Sequence, residues 1–211
     1  MKEYKLPIGC DVPETIILAD GDFPSHPLAL EWLRQCPYVV CCDGAANTYI
    51  RSGRMPEAIV GDGQYFFPCI KERYASLIHS EAEQETNDLS KAFRFCLSQE
   101  RKRITIMGAT GKREDHTIGN VSLLADYMEQ AEVSMMTDYG IFVPIREDSM
   151  FESYIGQQIS VFNMNSTALS AEGLAYPLSV FTNWWQGTLN EALARHFIIR
   201  TEGKVLVFRV F

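Results

Sequence analysis

Four aspartates stand just behind short apolar runs in this 211-residue chain, and a fifth opens a helix-like stretch. Asp20 and Asp22 follow Thr15–Ala19 (TIILA), Asp43 follows Tyr38–Cys42 (YVVCC), and Asp62 follows Ala58–Val60. Asp88 opens an amphipathic stretch after Gln84-Glu85-Thr86-Asn87. If those runs are neighbouring parallel strands, their carboxyl ends bring the acids to one rim, where ligands of open α/β sheets sit. Such a rim suits magnesium, a hard ion that prefers oxygen ligands and joins one or two carboxylates to substrate phosphates. Any single aspartate is better read as an N-cap for the next helix. Asp88 alone would simply favour the helix dipole, and Lys91, one turn on, would pair with it. The case for chemistry rests on the recurrence at successive strand ends.

A second segment points to phosphate. Ile104–Asn120 reads ITIMGATGKREDHTIGN: a buried strand, a glycine turn, a charged stretch and an apolar helix from about Thr117 to Met128. Glycines let the backbone approach a ligand closely, and the helix start offers unpaired N–H groups, a ready anion site. Lys112 and Arg113 add positive charge. The segment is neither a P-loop nor a G-x-G-x-x-G, so alone it favours phosphate only slightly over an ordinary strand-to-helix turn. His116 alone is better read as a capping or core histidine.

These residues need elements to position them, and the pattern supplies an alternation. Strands are expected at Thr15–Ala19, Tyr38–Cys42, Ala58–Val60, Ile104–Met107 and Val133–Met136, with a brief extended piece at Ile78-His79. Helices are expected at Pro27–Cys36, Ala45–Arg51, Pro68–Leu77 and Leu89–Leu97. Alternation of this kind predicts a parallel sheet covered on both faces. After Thr137 the pattern changes to short strands at Ile141–Ile145, Gln158–Phe162, His196–Thr201 and Lys204–Phe211. Glu202-Gly203 reads as a hairpin turn, and Asn190–Arg195 as a short helical turn. The fold class expected is therefore α/β: a parallel-sheet domain over 1–139, followed by an all-β sandwich domain over 140–211.

Composition bounds the rest. The chain is 46% hydrophobic and 22% charged, ordinary for a globular protein with a real core. A formal net charge of -8 argues against a nucleic-acid partner, although a metal or local basic cluster can still admit an anionic substrate. Six cysteines occur without a C-x-x-C pair, which fits reduced thiols in a cytoplasmic protein better than disulfides or zinc. No run is long enough to span a membrane, and the N-terminus lacks a signal-peptide core.

The motifs, taken in order, resemble those of the thiamine pyrophosphokinase family. Cys42-Asp43-Gly44-Ala45-Ala46-Asn47 is similar to its D-G-G-A-N, and Pro56 to Asp62 (PEAIVGD) to its P-D-x-I-x-G-D. Gln84 to Ala92 (QETNDLSKA) resembles Q-D/E-x-x-D-L-x-K-A, and Gly108 to His116, with the later Asn120, resembles G-A-x-G-G-R-x-D-H. Gly173 to Leu178 (GLAYPL) and Gly187 to Glu191 (GTLNE) are similar to G-L-K-Y-P-L and G-T-S-N-E. No one motif is decisive; the ordered set covers nearly the whole chain. The resemblance implies transfer of the terminal pyrophosphoryl unit of ATP to the hydroxyethyl oxygen of thiamine, giving thiamine diphosphate and AMP. It implies a nucleotide-binding α/β domain, a thiamine-binding β-sandwich, and a homodimer with the thiamine site at the subunit contact. It assigns Asp43, Asp62 and Asp88 to catalysis and to magnesium. It places Gln84, Thr86, Lys91, Arg113, Asp115, His116 and Asn120 around ATP. It gives thiamine Tyr176, Thr188, Leu189 and Asn190, with the Tyr176 ring facing the thiamine cation. The hydroxyl proton goes to Asp62 or Asp88.

Three departures from the family pattern stand out. Gln64 replaces a second acid in G-D-x-D-S, which removes negative charge. Lys112 replaces a glycine, where a side chain either crowds the turn or adds a phosphate contact. Leu189 replaces a serine of G-T-S-N-E. Two other readings therefore stay open: a pyrophosphokinase for another small alcohol, such as a hydroxymethylpterin, and a non-catalytic nucleotide- or thiamine-binding homologue.

Overall fold

The computed structural model describes residues 1–8, 11–63, 68–81, 83 and 85–211. In chain order the elements are β1 (Lys2–Tyr4), β2 (Thr15–Leu18), α1 (Pro27–Gln35), β3 (Val39–Cys42), α2 (Ala45–Arg51), β4 (Ala58–Gly61), α3 (Pro68–Arg73) and β5 (Ile78–Ser80). There follow α4 (Asp88–Ser98), β6 (Arg103–Met107), α5 (Glu114–Tyr127), β7 (Glu132–Met136), β8 (Gly140–Ile145), β9 (Ser149–Glu152) and β10 (Gln158–Asn163). The chain closes with β11 (Leu169–Glu172), β12 (Asn190–Glu191), β13 (His196–Thr201) and β14 (Val205–Val210).

Six strands, in the order β5-β4-β3-β2-β6-β7, pair in parallel. The chain builds outward from β2 through β3, β4 and β5, then returns by α4 to β6 on the other side of β2. The strand order therefore reverses between β2 and β6, and that switch point opens a crevice at the carboxyl ends of the strands. The strands carry near-continuous apolar runs because both faces are covered. Ile16, Leu18, Val39, Cys41 and Ile59 pack under α1 and α2, through Ala29, Trp32, Leu33, Ala46 and Tyr49. Ile17, Val40, Val60, Ile104 and Ile106 face the opposite layer, where Leu89, Phe93 and Cys96 of α4 meet Leu124 and Tyr127 of α5. Phe93 and Tyr127 stack with ring centroids 3.9 Å apart, and the Ser90 hydroxyl lies 2.8 Å from the Tyr127 hydroxyl. An aromatic pair of this kind is worth about 1 kcal/mol beyond its area. It locks α4 to α5, and with them the residues at both helix starts.

The sheet does not end at residue 139. β7 pairs antiparallel with β8, and β14, β10 and β12 extend the same sheet to ten strands. A second sheet, β1-β9-β13-β11, lies over this extension. Between the sheets sit Ile141, Val143, Ile159, Val161 and Val207 from one side and Phe151, Phe197 and Ile199 from the other. This second core is the sandwich expected from the short-strand pattern, and one of its strands comes from the N-terminus. β1 pairs in parallel with β9, Glu3 opposite Met150.

Several local expectations are corrected. Glu202-Gly203 is not a hairpin turn, because β13 and β14 belong to different sheets. Gly203, at φ 134, turns the corner between them. Asn190–Arg195 is not helical: Ala192 N–H donates to Gln157 O and Asn190 pairs with Ile159, so long-range pairing wins over local preference. The helix expected over Pro68–Leu77 stops at Arg73 and gives way to a 3-10 turn at Ala75–Leu77. α5 begins at Glu114 rather than Thr117, so the acidic pair Glu114 and Asp115 occupies its first turn, where the dipole favours it.

Candidate functional site: an acidic rim at the switch point

The turns after β2, β3, β4 and β6 interlock through contacts that leave no room for a Cβ. A methyl group on Gly44 would lie 2.5 Å from Asp20 Oδ2; one on Gly61 would lie 2.7 Å from Asp43 Cβ; one on Gly111 would lie 2.0 Å from Asp22 Oδ2. Asp22 thus sits against the glycine turn, Asp20 against the residue after Asp43, and Asp43 against the residue before Asp62. Asp88 closes on the same place from α4: the Cys42 thiol donates to Asp88 O at 3.6 Å. Burial pushes the Cys42 thiol well up, and the neighbouring Cys41 and then Asp88 add to the shift. The five aspartates are brought to one rim.

Asp43 is buried and has φ 21, a backbone state that a non-glycine residue adopts at a cost of about 1–3 kcal/mol. Its N–H donates to Val60 O at 2.9 Å, which continues the β3–β4 pairing one residue past the strand. The pairing bends the chain so that the carboxylate turns back over β4. Asp62, half-buried, is next on the rim.

Asp88 is the first residue of α4, and the cap is Asn87, whose Oδ1 accepts from Ser90 N at 2.9 Å. Asp88 Oδ1 lies 3.3 Å from Lys91 Nζ, and the Lys91 side chain is only 3% exposed. The two residues form the expected one-turn ion pair. Asp88 is thus the carboxylate that faces the buried Lys91 ammonium.

Asn120 joins the remaining loops. Its Nδ2 donates to Ala109 O in the glycine turn at 2.8 Å, and its Oδ1 accepts from Asn87 Nδ2 at 3.2 Å. Asn87 was not among the residues expected at the site; the N-cap pattern Asn-Asp before a helix was its only signal in the sequence. Arg113 is exposed and grips Asp115 in a two-bond pair, at 3.1 and 2.6 Å, which holds the Asp115 carboxyl below the usual carboxylate range. His116 is exposed on the first turn of α5. The Thr86 hydroxyl donates to Glu83 Oε2 and accepts from Arg94 Nη1, in a network that also ties Arg94 to Glu81. Gln84 and Gln64 lie outside the described residues.

The residues read for thiamine form a separate group. Asn190 Oδ1 accepts from Tyr176 N and its Nδ2 donates to Tyr176 O, so the carboxamide positions the tyrosine. Tyr176 and Leu189 are exposed, and Thr188 donates to Trp185 O at the end of a 3-10 turn, Trp184–Gly187. Leu189, at φ 62, is in left-handed backbone. Thr188 to Asn190 lead into β12, at one edge of the ten-stranded sheet, five strand spacings from β6. At about 4.8 Å per spacing that is about 24 Å along the sheet. The acid rim and the Tyr176 group of one chain are not adjacent.

Among the described residues, no group of three or more His, Cys, Asp or Glu is arranged to hold a metal ion. The carboxylates at adjacent strand ends nevertheless suit a magnesium ion that takes one or two protein oxygens and completes its shell with phosphate and water. A cavity of about 590 Å³ lies elsewhere. It opens between residues 3–7 and 11–14 and the N-terminal ends of β6 and β7, and none of the candidate residues lines it.

A family model described as thiamin pyrophosphokinase, catalytic domain, matches residues 29–136, and one described as thiamin pyrophosphokinase, substrate-binding domain, matches residues 140–208. The chain is 28% identical over 129 residues to thiamine pyrophosphokinase 1 of Oryza sativa subsp. japonica, covering 49% of each protein. It is 28% identical over 110 residues to thiamin pyrophosphokinase 1 of Caenorhabditis elegans, covering 48% of this chain and 45% of the relative. The chain thus spans about half the length of the curated relatives it matches. Its fold is similar to that of yeast thiamin pyrophosphokinase (TM-score 0.80, 16% identity, 100% of this chain and 91% of that one). It is also similar to the Bacillus subtilis enzyme (TM-score 0.77, 20% identity, 93% and 98%). Two family models in the right order, one covering half the chain by itself, place this chain in the thiamin pyrophosphokinase family.

Proposed function

We propose that the chain transfers the terminal pyrophosphoryl unit of ATP to the hydroxyethyl oxygen of thiamine, releasing AMP and thiamine diphosphate. The observation that carries this reading is the acidic rim at the β2/β6 switch point, with the glycine turn Gly108–Gly111 as its neighbour. Phosphoryl-type transfer asks a protein mainly to position reactants and to neutralise charge. Asp43, Asp62 and Asp88 are the residues that would hold Mg2+, which supplies charge neutralisation at the phosphates when bound. Arg113 would exchange Asp115 for phosphate oxygens, and Lys91 keeps Asp88 oriented. Gln84, Thr86, Asp115, His116 and Asn120 would frame the nucleotide. Residues 1–139 would form the ATP-binding unit and 140–211 the thiamine-binding unit.

The separation of the Tyr176 group from the rim supports a homodimer. In-line transfer requires the thiamine hydroxyl within a few ångströms of the nucleotide's phosphate. One chain holds the two groups far apart, so a second copy would bring its Tyr176 face to the first copy's rim. Exposed Trp185, Leu189 and Leu193 beside Tyr176 are the apolar surface such a contact would cover. No helix among the described residues is long and apolar enough to cross a membrane. The free thiols of Cys36, Cys41, Cys42 and Cys96 suit a cytoplasmic location.

The test is product analysis with ATP, Mg2+ and thiamine. AMP formed in step with thiamine diphosphate is the expected outcome. ADP in its place would mean transfer of a single phosphoryl group, and transfer to a hydroxymethylpterin but not to thiamine would change the acceptor. Binding of ATP and thiamine without turnover would make the chain a binding homologue.

A further inference from the structure

We propose that Lys112 is a polyphosphate-binding residue of the nucleotide cleft, held in reserve on Asp20 until the nucleotide arrives. The inference rests on the nucleotide reading above and adds to it a residue and an exchange of partners.

Lys112 has φ 56 and follows Gly111 at φ 80. Glycine occupies left-handed backbone freely; asparagine and aspartate do so by bonding locally, and lysine has neither excuse. The strain brings its chain back over the switch point. Nζ donates to Asp20 O at 2.8 Å and to Asp20 Oδ1 at 3.1 Å, a bridge from the turn after β6 to the turn after β2. Both partners are about half exposed, 54% and 46%. An exposed ion pair contributes so little that it does no more than offset the backbone strain. A stabilising tether is therefore a poor account of a lysine at this position.

The surroundings supply a better one. Lys112 Nζ stands beside a cavity of about 210 Å³ whose other walls include Asp20, Asp22, Phe23, Ala45 and Thr48. A polyphosphate entering beside two carboxylates needs a cation there. A lysine ammonium has three donors and no acceptor, so its ligand must be rich in acceptor oxygens. Arg113, the neighbouring cation, is held by Asp115 through two bonds on one edge of its guanidinium, at 3.1 and 2.6 Å. Lys112, on a flexible stem and held by one carboxylate oxygen and one carbonyl, is a second cation able to change partners at little cost. Moving Nζ from Asp20 to a phosphate exchanges a single carboxylate for a more highly charged group. It also frees Asp20 Oδ1 at the rim.

The experiment is calorimetric titration of the full chain with ATP, in EDTA so that metal binding does not intervene. The wild type is compared with Lys112→Gln, Lys112→Arg, Asp20→Asn and the Lys112→Gln/Asp20→Asn pair. Lys112→Gln is expected to weaken ATP about tenfold, as for loss of one charge-assisted contact, and Lys112→Arg to keep most of the affinity. Asp20→Asn is expected to tighten ATP, because the lysine is released, and to do so far less when Lys112 is already glutamine. Lys112→Gln and Asp20→Asn weakening ATP alike would show a loop tether and overturn the proposal. Equal tightening by Asp20→Asn in both backgrounds would show simple charge repulsion and overturn it too. Unchanged ATP affinity in Lys112→Gln removes the Lys112 assignment alone, whereas a wild-type chain that binds ATP neither in EDTA nor in a parallel titration with excess Mg2+ brings down the nucleotide reading with it.

Discussion

The carboxamide of Asn190 holds both the N–H and the C=O of Tyr176, at 3.0 and 2.8 Å. The asparagine is buried and the tyrosine ring is exposed, so one residue fixes a backbone from below while the other presents an aromatic face. Asn190, assigned to thiamine by the family resemblance, uses its side chain to position Tyr176.

The two residues should fail differently. Tyr176→Ala removes an exposed ring, so stability should stay within about 0.5 kcal/mol while KM for thiamine rises. Asn190→Ala leaves two backbone groups of Tyr176 without partners and should cost about 1–3 kcal/mol of stability as well as raising that KM. KM for ATP should change little in either variant. Denaturant melts beside thiamine and ATP kinetics separate the cases, and an unmoved thiamine KM in both would remove Tyr176 from the acceptor site.

Asp88 and Lys91 allow a second test. Asp88→Asn leaves a buried ammonium without its carboxylate, so it should lose turnover and also about 2–4 kcal/mol of stability, somewhat below a fully buried pair because Asp88 is part exposed. Asp62→Asn, on the half-buried neighbour, should lose turnover with a smaller change in stability. Lys91→Met should recover the stability lost by Asp88→Asn when the two are combined, but not the turnover. Recovery of turnover by the double variant would show that Asp88 serves only to hold Lys91.

A third prediction concerns acid. Asp138, in the turn between β7 and β8, accepts from Ser25 N at 2.8 Å and His26 N at 2.9 Å, and from the Ser25 hydroxyl. Burial alone would raise its carboxyl, but the bonds from Ser25 and His26 outweigh that and hold it below the ordinary range. A depressed carboxyl stabilises the fold above its unfolded value, about 3.9, and that contribution is lost as pH falls through the lower folded value. The melting temperature of the wild type should therefore fall more steeply than that of Asp138→Asn below about pH 4. Parallel melting curves through that range would show that Asp138 contributes nothing through its charge.

The distribution of what could be read from the sequence has a physical basis. The apolar runs before Asp20, Asp43 and Asp62 are strands buried on both faces, so their residue types alone mark them, and the rim follows from parallel order. The left-handed backbone at Asp43, Lys112 and Leu189 leaves no such mark, because glycine is the only residue type that announces it. β1 was equally hidden: three residues at the N-terminus find their partner at Ser149–Phe151, and no local pattern encodes a pairing that distant. Asn190–Arg195 reads as helical in the sequence because a two-residue strand, held by β10 and by Tyr176, has too short a pattern to compete with helical propensity.

The last prediction takes the spacing of the two half-sites literally. The rim lies on the loops after β2, β3, β4 and β6, and the Tyr176 group lies beside β12, about 24 Å away along the same sheet. If two copies combine one chain's rim with the other's Tyr176 face, a variant dead on the rim and a variant dead at Tyr176 carry complementary defects. Asp62→Asn and the combined Tyr176→Ala/Asn190→Ala chain should each be nearly inactive. Unfolded together and refolded as a mixture, half of the dimers are mixed, and each mixed dimer has one intact composite site and one doubly damaged site. Activity should return to about a quarter of the wild-type value, the limit set by two-fold symmetry. Both variants must first elute as dimers, which size-exclusion chromatography with light scattering establishes. Recovery to that level requires that the two residues act across a subunit contact. A mixture no more active than its components would place both half-sites of a working centre on one chain, and would require the Tyr176 segment to travel across the sheet to reach Asp62.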